Sequence, residues 1–155
     1  MSPRAAWRLE TLGFTEAYAY AAGKADWFAM GRPMEGTLAS LPRIGSVTDR
    51  DVPTCSLQER VADVAERTKA AGWDTCVVVN EHGVVLGRLF RTELDAGGDR
   101  PVEQVMRSGP STFRPNVTTH EMMHFMDEHD LRTALVTDSE GKLIGLFKRE
   151  DAEGA

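Results

Sequence analysis

The spacing of apolar residues changes period several times along the chain, and from residue 44 onward the changes come twice in the same order. A short extended run, Pro53-Thr54-Cys55, leads into a stretch from about Leu57 to Ala71. There Val61, Val64, Ala65 and Thr68 fall at i, i+3, i+4 and i+7, which predicts a helix with one apolar stripe. Thr75-Cys76-Val77-Val78-Val79 is a β-branched run of strand length, and Asn80-Glu81-His82-Gly83 has the composition of a hairpin turn that ends where φ is positive. A returning strand and a short polar helix complete the unit. The second pass has Ser111-Thr112-Phe113, a helix from about Thr118 to His129 with Met122, Phe125 and Met126 as its stripe, and the strand Thr133-Ala134-Leu135-Val136-Thr137. Its turn is Asp138-Ser139-Glu140-Gly141.

A shift of 58 positions aligns Ile44–Glu93 with Val102–Asp151 without a gap. Val47/Val105, Thr54/Thr112, Thr75/Thr133, Val78/Val136, Gly83/Gly141, Gly87/Gly145 and Arg91/Arg149 are identical, and every apolar run and turn falls in register. The repeat predicts two β-α-β-β-α units related by a pseudo-two-fold axis, an α/β fold of the α+β type. Their ranges are 43–97 and 100–155, separated by a flexible linker, Asp95-Ala96-Gly97-Gly98-Asp99. Residues 1–41 stand outside the repeat. They read as a short α/β segment: a helix that stops at Gly13, an extended stretch from Phe14 to Tyr20, and a second helix closed by Gly31 and Pro33.

Composition narrows the function. With 41% hydrophobic and 27% charged residues the chain can bury a core. A net charge of −6 without any Lys/Arg cluster gives nucleic acid or a membrane surface no electrostatic basis. No apolar run has the length of a membrane span, the N-terminus lacks a signal-peptide core, and Cys55 and Cys76 sit in strand-like runs as reduced, small hydrophobes; the expected compartment is the cytoplasm.

Val105-Met106, Met122 to Met126, Leu135-Val136-Thr137-Asp138, Gly141-Lys142-Leu143-Ile144-Gly145 and Asp151 resemble the second member of a tandem pair of CBS domains, the repeats that form Bateman modules. The resemblance covers about residues 43–153. It implies a regulatory module that catalyses nothing and binds an adenosyl ligand, such as AMP, ADP, ATP or S-adenosylmethionine, between the repeats. In that family a repeat ends in Gly, then Ser or Thr, then Asp, at spacings of three. The second copy, Gly145-Leu146-Phe147-Lys148-Arg149-Glu150-Asp151, keeps the Asp and has Lys for the hydroxyl. The first has Phe90 and Glu93 in those places. A carboxylate at the start of a short helix can accept hydrogen bonds from both ribose hydroxyls, and a cation beside it can meet phosphate. The resemblance therefore assigns ribose to Asp151 and phosphate to Lys148, with Arg132, Thr133 and Thr112 lining the same cleft. Glu93, Arg91, Thr75 and Thr54 are the weaker set of the first copy. A ligand-free docking or dimerisation module is the alternative. A homodimer is expected, through the α-helical face that carries Met123.

Residues 1–41 are similar in order to the C-terminal third of a rhodanese domain, but the chain has no cysteine on a loop ahead of the first helix. The resemblance implies a structural remnant that packs Trp7, Phe14, Trp27 and Phe28 on the repeats or on a partner. His120-Glu121-Met122-Met123-His124 matches the H-E-x-x-H signature of zinc proteases. At 100° per residue both histidines face away from Met122 and Met126, and a third ligand is lacking, since His129 is too close and faces the buried side. No metal site and no catalytic residue is expected.

Overall fold

The computed structural model describes residues 3–30, 32–37 and 39–152, apart from the side chains of Ala25, Phe28, Ala29, Asp151 and Ala152. The first repeat contains β1 (Thr54–Cys55), α4 (Val61–Ala70), β2 (Thr75–Val79), β3 (Val85–Phe90) and α5 (Arg91–Ala96). Ahead of it lie α1 (Pro3–Thr11), α2 (Gly23–Ala29) and α3 (Ile44–Val47). After a short 3-10 turn and β4 (Arg107–Ser108), the second repeat contains β5 (Thr112–Phe113), α6 (Thr119–Glu128), β6 (Thr133–Thr137), β7 (Leu143–Lys148) and α7 (Arg149–Ala152). Each element of the second repeat starts 58 residues after its counterpart.

The two sheets have the same construction. β1 runs parallel to β2 and β5 parallel to β6, while β2–β3 and β6–β7 are antiparallel hairpins with an irregularity at the same place, Val78/Val79 and Val136/Thr137. The hairpin tips join the repeats. Val84 faces Lys142 in an antiparallel bridge, Val85 N–H donates to the Gly141 carbonyl at 3.1 Å, and Leu143 N–H donates to that of Gly83 at 2.9 Å. That exchange is symmetric under the 58-residue shift, as a pseudo-two-fold requires.

Each helix lays its stripe on its own sheet. Val61, Val64, Cys55, Cys76, Val78 and Leu89 form one core, and Met122, Met126, Ala134, Val136 and Phe147 form the other. A third cluster, Val52, Val77, Leu135 and Leu146, lies between the repeats. The segment leading into each copy packs on the opposite copy. Ile44 is buried in the second core, and Asp49 exchanges two backbone bonds with Leu146, at 3.0 and 2.9 Å. The counterparts in the second copy do the reverse: Val102 enters the first core and β4 pairs with β3.

Several expectations change. The helix α4 begins at Val61, not near Leu57, because its first amides are satisfied from elsewhere: Val61 N–H donates to the Arg100 carbonyl and Ala62 N–H to that of Gly98. For the same reason the Gly-Gly linker is a docked turn rather than a flexible one, with Gly97 buried against Val61. Residues 12–22 form no strand. Trp7 and Phe14 do not pack on the repeats; they are 65% and 60% exposed, because α1 buries its Ala6 side and leaves the neighbouring Trp7 facing out. Trp27 packs locally, edge-on to Tyr20 with centroids 5.2 Å apart. Gly31 and the side chain of Phe28 lie outside the described residues. His129 is exposed at the end of α6, its ring 4.2 Å from that of Phe125, rather than on the buried side. Met123 is half-buried against its own core, so it is not the free apolar contact expected to drive dimerisation.

Candidate ligand cleft

The antiparallel register sets Thr133, the first residue of β6, opposite Lys148, the last of β7. Arg149 N–H donates to the Arg132 carbonyl at 3.0 Å, so Arg132, Thr133, Lys148 and Arg149 are gathered at one end of the hairpin. Facing them across the repeat boundary are the end of α4, the loop with Gly72, Trp73 and Asp74, and Arg91 and Asp95 of α5. Together these walls enclose a cleft of about 960 Å³.

Trp73 stands on the first-repeat wall. Gly72, at φ +78°, makes the turn that puts it there, and Trp73 N–H is anchored on the Thr68 carbonyl at 3.0 Å. Its ring is half-buried against the cluster between the repeats, and the Lys148 ammonium lies 4.1 Å from the ring centroid. The same ammonium is 3.3 Å from Asp49 Oδ2. The Asp49 carboxyl is held below its ordinary range, first by the Asp51 backbone N–H and then by Lys148.

Behind the cleft lies Arg88, only 6% exposed. Its Nε donates to the Thr75 hydroxyl at 2.8 Å and one terminal nitrogen donates to that of Thr133 at 2.9 Å, so one guanidinium ties both repeats. No carboxylate bonds it among the described residues, and burial lowers its pKa to about 10 against an opposing pull from Asp74.

Of the expected residues, Lys148, Arg132, Thr133 and also Arg91 line this one cleft. Thr112 does not: it is exposed on edge strand β5, beyond β6 from Lys148. The side chain of Asp151 lies outside the described residues. Thr75 is buried and committed to Arg88 and the Leu89 carbonyl, and Thr54 is exposed on β1. Trp73, Asp49 and Arg88 were not expected from the sequence; an aromatic residue directly after a Gly at a helix end was the available signal for the first.

The first repeat uses the equivalent positions for internal contacts. Arg88 and Arg107 stack on Phe90, with guanidinium carbons 4.5 and 4.8 Å from the ring centroid. Glu93 Oε1 accepts from Arg107 Nε at 3.0 Å and from a terminal nitrogen at 2.8 Å, and its other oxygen accepts from Phe90 N–H and the Thr92 hydroxyl. Burial alone would raise the Glu93 pKa; the bonds from Arg107, Thr92 and Phe90 outweigh it and hold the carboxyl below the usual range. Glu93 is thus saturated by the protein.

No cluster of three His, Cys, Asp or Glu side chains able to hold a metal occurs among the described residues. His120 and His124 are exposed, and His124 lies 3.7 Å from Glu128. Cys55 and Cys76 are free and buried, and the Cys76 sulfur and burial push the Cys55 thiol up. No helix among the described residues is long and apolar enough to cross a membrane.

Comparison with known proteins fits this arrangement. The CBS-domain family model matches residues 102–152, the second repeat. The solved CBS-domain pair of protein MJ0100, in complex with 5-methylthioadenosine and S-adenosylmethionine, superposes with a TM-score of 0.63 at 15% identity, covering 72% of this chain and 97% of that one. The fold is that of a CBS-domain pair. The cytosolic domain of the Mg2+ channel MgtE, solved in complex with ATP, superposes on the pair with a TM-score of 0.67 at 22% identity, covering 76% of this chain and 50% of that chain. An uncharacterized protein of Methanopyrus kandleri is 28% identical over 116 residues, 70% of this chain. The chain spans 59% of that relative's length. None of these matches supports a rhodanese likeness for the segment ahead of the two repeats.

Proposed function

We propose that this CBS pair is a regulatory sensor that binds one adenosyl ligand, such as AMP, ADP, ATP or S-adenosylmethionine, in the cleft walled by Trp73, Arg132, Thr133 and Lys148. The observation that carries the reading is the gathering of Arg132, Thr133, Lys148 and Arg149 against an aromatic wall at the junction of the repeats. The adenosyl ligands of the MJ0100 pair and the ATP of the channel domain support the ligand class. Lys148 and Arg132 meet phosphate or carboxylate by charge. The Thr133 hydroxyl accepts from Arg88 and keeps its own proton to donate. Asp151, on α7, takes the ribose hydroxyls. The role is binding rather than catalysis, in a chain organised as a segment to residue 41 and repeats over 43–97 and 100–155.

A thermal-shift screen against AMP, ADP, ATP and S-adenosylmethionine tests the reading. A ligand at 100 times its Kd adds about 2.7 kcal/mol to stability, a rise of several degrees for a chain of this size. No shift with any of the four favours the alternative, a ligand-free docking pair. One observation speaks for that alternative: Trp7, Phe14 and Tyr18 are 65%, 60% and 81% exposed, an apolar surface on the N-terminal segment that a second copy or another protein would cover. Light scattering that finds a dimer at tens of micromolar supports the homodimer form of it.

A further inference from the structure

Lys148 occupies a position that a bound ligand would contest. Its ammonium sits 4.1 Å above the ring of Trp73, which lines the cleft, and 3.3 Å from Asp49. The ring cannot retreat. It is wedged against Val52, Val77, Leu135 and Leu146, and its backbone is pinned to Thr68. The ammonium can, because it ends a flexible four-carbon stem and keeps Asp49 as a second partner. An aromatic face covered by a movable cation is a stacking surface held open for another π system, since a planar base gains dispersion over its whole area where the ammonium gains at one point.

We propose that Trp73 is the stacking platform of the cleft: the base of the adenosyl ligand stacks on its indole, and Lys148 moves from the ring to the ligand's anionic group. The inference rests on the cleft being an adenosyl site, and it adds which residue holds the base. It also makes recognition a property of both repeats, because the platform belongs to the first and the cation to the second.

The chain has three tryptophans, so Trp7→Phe with Trp27→Phe leaves Trp73 as the sole emitter. Titrating that double variant with AMP should change its emission in step with the binding isotherm measured by calorimetry. Ribose 5-phosphate, which has no base, should bind far more weakly than AMP. Trp73→Leu preserves apolar bulk without a π face and should weaken AMP binding about tenfold or more, whereas Trp73→Phe should recover most of that loss. The platform is overturned if AMP binds Trp73→Leu as tightly as the wild type, if Trp73→Phe is as weak as Trp73→Leu, or if emission stays flat at saturation; in each case the cleft remains an adenosyl site. If the wild-type protein binds none of AMP, ADP, ATP and S-adenosylmethionine in the calorimeter, the adenosyl reading itself fails and the platform with it.

Discussion

A methyl group added at Gly145 would stand 2.2 Å from the Asp49 carbonyl oxygen, the acceptor of the Leu146 N–H. At its repeat mate Gly87 the nearest atom is the Met106 sulfur at 2.5 Å, on a flexible side chain, and the backbone contact is looser, the Arg107 carbonyl oxygen at 3.0 Å. The two substitutions should therefore differ although their sequence contexts match. Gly145→Ala must push back a backbone segment held by two hydrogen bonds and is expected to cost roughly 2–4 kcal/mol. Gly87→Ala is expected to cost about 1 kcal/mol, since Met106 can turn aside. Urea denaturation of both variants measures the difference. Sequence showed that the two glycines correspond. It could not show what each one avoids, because the neighbour of Gly145 enters from the leading segment of the opposite copy. Site residues divide in the same way. That Lys148, Arg132 and Thr133 line one cleft was legible from the family resemblance, whereas Trp73 and Asp49 became neighbours of Lys148 only through the packing of one repeat on the other.

Among the elements, α4 and α6 were legible from their apolar period, and their stripes bury as that period requires. Their beginnings differ. Thr118 caps α6, its hydroxyl accepting from Glu121 N–H at 3.2 Å. Arg60 offers α4 no such cap, and the carbonyls of Gly98 and Arg100 serve instead, which no local pattern reveals. Glu59 secures this entry, accepting from Ser56 N–H at 2.7 Å and from Arg67, which also donates to the Thr54 carbonyl at 3.0 Å. The Arg67 bond, against an opposing effect of burial, holds the Glu59 carboxyl below its ordinary range. A carboxyl whose pKa is lower folded than unfolded stabilises the fold above the unfolded value, near 4.3, and loses that contribution as pH falls through the folded value. Glu59→Gln should thus lower the melting temperature at pH 7, and that deficit should shrink as pH falls below the unfolded value. An undiminished deficit at pH 3 would show that the residue acts through shape alone.

For the whole molecule, two copies of one plan produce an asymmetric object. The backbones follow the pseudo-two-fold, but Lys148 replaces Phe90 and Leu146 replaces Arg88 across it. One junction between the repeats is left with a cation over an indole, and the other is filled by Phe90 between two guanidiniums, with Glu93 saturated. A ligand that needs phosphate and base contacts is therefore expected at the first of these two junctions. Lys148→Ala should weaken ATP more than adenosine, because only the phosphates feel its charge, and the difference should shrink as salt is raised. The most direct test is the stoichiometry of ATP binding by calorimetric titration of the wild type, Lys148→Ala and Glu93→Gln. One site per chain, weakened about tenfold or more by Lys148→Ala and unchanged by Glu93→Gln, is the expected result. Two equivalent sites per chain, or equal losses in the two variants, would contradict it.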